Sequence, residues 1–63
     1  MTGVVKRLNK EKGFGFIKAG TRDYFFHRSA CQNIEFEELT EGRSVTFEPT
    51  ESTKGPRAED VNA

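Results

Sequence analysis

The sequence predicts an all-β domain of five short strands closing into a barrel, and three observations carry that expectation. No window holds apolar residues at a 3.6-residue period over the ten or more positions a helix needs. Short runs rich in β-branched and aromatic residues recur instead, each bounded by turn-forming residues. The chain has only 63 residues, and strands in so small a domain are best protected by closing on one another, which leaves no long edge open to other chains. A single domain over residues 1–63 is expected, because no repeat, linker or low-complexity segment interrupts it.

Taken in order, strands are expected near residues 3–9, 14–19, 23–28, 43–48 and 57–61. Turns at 10–13 and 20–22 join the first three. The third connection is long: it holds Ser29-Ala30-Cys31, where one helical turn is expected to start at the serine, then Glu35-Phe36-Glu37-Glu38-Leu39 and the Glu41-Gly42 turn. A loop over 49–56, with Lys54-Gly55-Pro56 at its tip, is expected before the last strand.

The stretch KGFGFIKAGTRDYFFHR, residues 12–28, contains five of the seven Phe and Tyr rings. Alternation along a strand sorts them onto two faces. If Ile17, Tyr24 and Phe26 point inward with Val5, Val45 and Val61, a core is filled. Phe14, Phe16, Phe25 and His27 are then left together outside. The opposite assignment buries the Phe pair but exposes Ile17 and Phe26. Neither assignment leaves a polar face, so one apolar face must have a partner other than the core. Gly15 lies between two of these rings, where a curved strand can be approached closely.

Charge points to the chemistry of that partner. Formal net charge is 0, yet residues 1–28 balance at +5, with seven cations against Glu11 and Asp23, and residues 29–63 balance at −5. Rings beside Lys and Arg suit a ligand that is flat and apolar on its faces and anionic at its edge. Unpaired nucleic-acid bases fit, with stacking worth ~1–3 kcal/mol per base. Duplex is disfavoured because its bases are already stacked.

These residues resemble the bacterial cold-shock proteins, and the resemblance covers nearly the whole chain. KGFGFI (residues 12–17) looks like the family's first ribonucleoprotein motif, and DYFFH (residues 23–27) looks like its second. Ser29-Ala30, Glu41-Gly42, Val45 to Phe47 and the closing KGPRAEDV follow in family order. RNA-recognition motif domains share such signatures, but they need packed helices and a longer chain, and they carry the two motifs in the reverse order. The resemblance implies a five-stranded antiparallel OB-fold β-barrel that binds single-stranded RNA or DNA. Action as an ATP-independent chaperone is the expectation that goes with it, and the resemblance further implies roles in translation and transcription under cold or other stress.

Residue by residue, the resemblance matches Phe14, Phe16, Phe25 and His27 to stacking positions, Lys6 and Lys12 to cations near the strand, and Phe36 to a further stacking ring of the long loop. The family's usual K-W-F-N reads Lys6-Arg7-Leu8-Asn9 here, and Arg28 stands where another platform ring is often found. Guanidinium groups stack on bases and contact phosphates, so Arg7 and Arg28 are expected to substitute in part. Weaker stacking and a larger salt-sensitive share of affinity follow. Glu37 stands where the loop is often basic.

Other functions find little support. Asp23, His27 and Ser29 could be drawn as a triad, but Asp23 and His27 are too far apart along a strand to bond, and no oxyanion device accompanies them. One cysteine makes neither a disulfide framework nor a zinc site, and Cys31 is expected as a small buried hydrophobe. No dinucleotide fingerprint or phosphate-binding loop is present, so neither enzyme activity nor a small-molecule or metal cofactor is expected. The chain shows no leader and no run long enough to span a bilayer, which sets the expectation of a cytoplasmic protein, and five strands closing on themselves make a monomer the expected state. Glu35, Glu37, Glu38 and Glu41 are expected as a solvated loop. An alternative of another class is an interaction module whose aromatic face docks a protein or ribosomal partner.

Overall fold

The computed structural model describes every residue, Met1–Ala63. The chain forms β1 (Thr2–Asn9), β2 (Phe14–Ala19), β3 (Arg22–His27), β4 (Ser44–Ser52) and β5 (Gly55–Asn62), with single 3-10 turns at Arg28–Ala30 and Phe36–Glu38. The strands close into a barrel in the order β1-β2-β3-β5-β4, as an OB-fold requires. Four seams are antiparallel. The fifth, between β3 and β5, is parallel at Phe25 with Arg57, and Cys31 with Val61 extends it. The expected five-stranded OB-fold barrel is what the chain forms, and its one parallel seam arises because the long connection carries the chain across the barrel before β4, so β5 reaches β3 running in the same direction.

The first three strands lie where alternation puts them, to within a residue. The fourth and fifth are longer than expected, and the loop at 49–56 shrinks to a turn at Thr53-Lys54. Pro49 does not end β4, although it has no N–H to donate. The ladder with β1 stops at Thr46 and the hydrogen bonds between Phe47 and Met1 end that edge, so from Glu48 onward β4 pairs with β5 alone and one edge needs no donors. The short turn after β3 begins one residue before Ser29. Its cap is His27, whose Nδ1 accepts the Ser29 N–H at 3.2 Å.

Val5, Ile17, Tyr24, Phe26, Val45 and Val61, the six expected core residues, are all buried, none more than 5% exposed. Phe36, Leu39, Phe47 and Ala58 complete the cluster. Burying a large apolar side chain contributes about 1.5–3 kcal/mol, so a domain of this size draws in every ring it can reach. That recruitment overturns the expectation for Phe36. It is 4% exposed, with its ring centre 5.9 Å from that of Phe26, and presents no face to a base. Glu35, Glu37 and Glu38 around it stay in solvent. Cys31 is half-buried against the core, and burial pushes its thiol pKa up, helped by the charge of Glu35.

Gly15 is a tight point of the wall. A Cβ there would stand 2.7 Å from the Arg7 carbonyl oxygen and 2.8 Å from the Phe26 ring, so only glycine lets β1, β2 and the central ring meet.

Candidate nucleic-acid interface

Two rungs of the β2–β3 ladder build the site. Phe14 pairs with His27 and Phe16 with Phe25, so the four rings expected outside form a two-by-two grid on one face of the barrel. All four are half-buried. Their inward neighbours Gly15, Ile17, Tyr24 and Phe26 are buried, which shows strict alternation through both strands.

The grid is faceted rather than flat. Phe16 lies edge-on to Phe14 and to Phe25, at centroid separations of 6.2 and 5.7 Å, while Phe14 and Phe25 are tilted by only 32° at 5.7 Å. Edge-to-face pairs of this kind are each worth about 0.5–1.5 kcal/mol and brace the exposed rings before a ligand arrives. His27 is held separately. Its Nδ1 accepts the Ser29 N–H and lies 3.1 Å from Ser29 Oγ, so in the neutral ring the proton sits on Nε2, free to donate. Asp23 is engaged by Lys6, so the three residues form no relay.

Cations frame the grid, and a bulge in β1 explains two of them. Val5 pairs with Ile17 and Arg7 with Phe16, which leaves Lys6 as an extra residue between them. Lys6 and Arg7 are therefore both exposed, and the phase after the bulge turns Leu8 toward the core. Lys6 bonds Asp23 at 2.9 Å, an exposed pair worth about 0–1 kcal/mol that a phosphate can readily displace. With Arg7, Phe16 and Asp23 it lines a shallow hollow at the edge of the rings. Lys12 stands exposed in the turn that enters β2. Arg28 follows His27, and its backbone N–H bonds the Gly13 carbonyl at 2.9 Å. Its side-chain stem lies over Gly13, where a Cβ would come within 3.0 Å of Arg28 Cδ.

Arg57 is the residue the sequence reading missed. The parallel seam sets it opposite Phe25, with its guanidinium carbon 5.9 Å from the ring centre. The row across the barrel thus reads Arg7, Phe16, Phe25, Arg57 over four strands. Arg57 is the lone cation of the closing strand, which was a signal in hand. What was absent was any local pattern announcing that β5 would lie beside β3. The ion pairs of the chain are Lys6 with Asp23 and Arg22 with Glu51, so Arg7, Lys12, Arg28 and Arg57 remain available to an anion.

The largest hollow lies elsewhere, under the long connection. Glu35, Glu37 and Glu38 line it beside Arg28, and that much carboxylate does not suit a polyanion. No three His, Cys, Asp or Glu side chains converge to hold a metal ion, and no helix is long and apolar enough to cross a membrane.

A closed five-stranded barrel with half-exposed rings framed by unpaired cations defines an OB-fold protein of the kind that takes its ligand on a sheet face. The sequence model of the 'Cold-shock' DNA-binding domain matches residues 1–63. Among similar proteins, the cold shock-like protein CspLB of Listeria monocytogenes is 52% identical over 95% of this chain and 92% of its own. The cold shock-like protein CspB of Escherichia coli is 49% identical over 97% of this chain and 89% of its own. The major cold shock protein CspA of Bacillus cereus is 48% identical, over 97% and 92%. The chain belongs to the cold-shock domain family, a nucleic-acid-binding family that is not one of enzymes.

Proposed function

We propose that this protein binds single-stranded RNA or DNA on the Phe14, Phe16, Phe25 and His27 grid and acts as an ATP-independent nucleic-acid chaperone. The observation that carries the reading is the grid itself: four rings held half-exposed on one face while ten other apolar residues fill the core. A base resting on a ring is withdrawn from pairing, so binding shifts hairpins toward open strands without a fuel molecule. Four platforms contribute on the order of 4–12 kcal/mol before ordering costs, enough for micromolar affinity or somewhat better. Lys6, Arg7, Lys12 and Arg28 supply the phosphate contacts, and the guanidinium groups of Arg7 and Arg28 add stacking area. A monomer working in the cytoplasm, sustaining translation and modulating transcription under cold or other stress, fits this passive mechanism.

A hairpin carrying a fluorophore and a quencher tests it. Stoichiometric protein should raise the fluorescence without ATP, and labelled single strands should bind in preference to the matching duplex. Equal affinity for duplex, or tight binding with no opening, would remove the chaperone mechanism.

A further inference from the structure

We infer that Arg57 reads the edge of the base stacked on Phe25 and favours guanine there, an inference that rests on the stacking reading above. The guanidinium carbon stands 5.9 Å from the centre of the Phe25 ring. Atoms in stacked contact lie ~3.5–4.0 Å apart. As the partner of Phe25 on the neighbouring strand, Arg57 stands beside that residue with its guanidinium beyond stacked contact with the ring, next to where the edge of a stacked base arrives.

The side chain is anchored in an unusual way. Its Nε is buried with no hydrogen-bond partner, and no carboxylate pairs with the group. Buried donors are normally satisfied, because leaving one unpaired is costly. The terminal nitrogens are neither buried without a partner nor bonded within the chain, so they meet solvent. Arg57 thus holds its stem and Nε inside the wall and presents the end of a planar fork at a fixed place. Thr50 Oγ1 donates to the Arg57 carbonyl at 3.3 Å and helps hold the backbone at that point.

Such a fork matches two neighbouring acceptors in one plane. Guanine offers O6 and N7 side by side, whereas adenine sets a donor beside N7 and thymine or uracil has a single acceptor on that edge. Cytosine has an acceptor pair on its pairing edge but a smaller face to lay on Phe25. Guanine alone combines the acceptor pair with a purine face. A phosphate also takes an arginine fork, but the rim of a stacking ring is where a base edge lies, and Arg7, Lys12 and Arg28 already serve the backbone.

Fluorescence anisotropy with a labelled oligothymidylate, and with versions carrying one guanine moved along the strand, tests the inference. In the wild-type protein, guanine at one position should tighten binding about tenfold or more. Arg57→Met should abolish that preference, so that the guanine-bearing strands bind no more tightly than oligothymidylate. Arg57→Lys, which keeps the charge but not the fork, should lose the preference too, and it decides the matter if the Met variant does not fold. Absence of any guanine-preferring position, an equal preference for cytosine, or a preference that survives in both variants overturns the inference. So does a uniform loss across all sequences with a shallower salt dependence, which marks a phosphate contact. If the wild-type protein binds none of the strands, the stacking reading itself has failed; binding without base preference removes only the role of Arg57.

Discussion

The β2–β3 and β4–β5 hairpins are built from the same alternation and put it to opposite use. In β4–β5 the inward side carries Val45, Phe47, Ala58 and Val61, and the outward side is polar, to the point that Glu48 stands directly opposite Glu59. In β2–β3 the inward side is as apolar, but the outward side carries rings. Two like charges facing each other on neighbouring strands repel mildly in water. Four half-exposed rings are a different expense, tolerated where a ligand will cover them. A face that needs only solvent becomes polar by default; one that stays apolar on both sides signals an absent partner. The formal net charge of 0 averages these two faces and describes neither.

The comparison is sharpest at adjacent residues. Phe26→Ala should cost about 3–5 kcal/mol and unfold much of a domain this small. Phe25→Ala should cost no more than its ring contacts, about 0.5–1.5 kcal/mol each, yet weaken single-strand binding by ~1–3 kcal/mol. Chemical denaturation beside anisotropy separates the two, and similar stability losses at both positions would break the division between core and platform.

Salt provides the next test, since it should act on the two hairpins in opposite senses. Binding weakens as salt rises, and Arg7→Ala should reduce the slope of log affinity on log salt by about 0.7. Stability should instead rise slightly with salt, because the repulsion between Glu48 and Glu59 is screened. Glu48→Lys should stabilise by about 0.2–1 kcal/mol and remove part of that salt response. A destabilised lysine variant would show that the carboxylates are not felt as a pair.

The smallest effect concerns Cys31 at the seam between the regions. Burial and Glu35 raise its folded thiol pKa above the unfolded value. Folding therefore favours the protonated thiol: the contribution is fully present below the unfolded pKa and is lost as pH climbs through the folded one. Melting temperature should fall in that alkaline range, and Cys31→Ala should flatten the decline. Alkylation at neutral pH should be slower in the folded than in the unfolded chain.

What could be read in the sequence was whatever alternation alone decides. Ile17, Tyr24 and Phe26 inside and Phe14, Phe16, Phe25 and His27 outside follow from the period-two pattern together with the need to fill a core. Arg57 was not legible, because its place beside Phe25 depends on a pairing between strands distant in sequence. Phe36 was assigned by its resemblance to a loop ring, but the demand of a small core for apolar surface took it inside. Pro49 read as a break because the rule against proline in strands is a rule about neighbours on both sides, and β4 has one there.

The extra residue in β1 bears on how the chain tolerates change in length. Removing any residue from a strand normally exchanges its inner and outer faces from that point on. Lys6 is the exception, because Val5 already points in, Arg7 out and Leu8 in, with Lys6 outside the count. A chain shortened by Lys6 alone should keep its phase, its core and its register with β2, and give up one charge at the margin of the rings together with its bond to Asp23. Insertions and deletions among relatives should therefore be borne at this point of β1 and rejected a residue or two to either side.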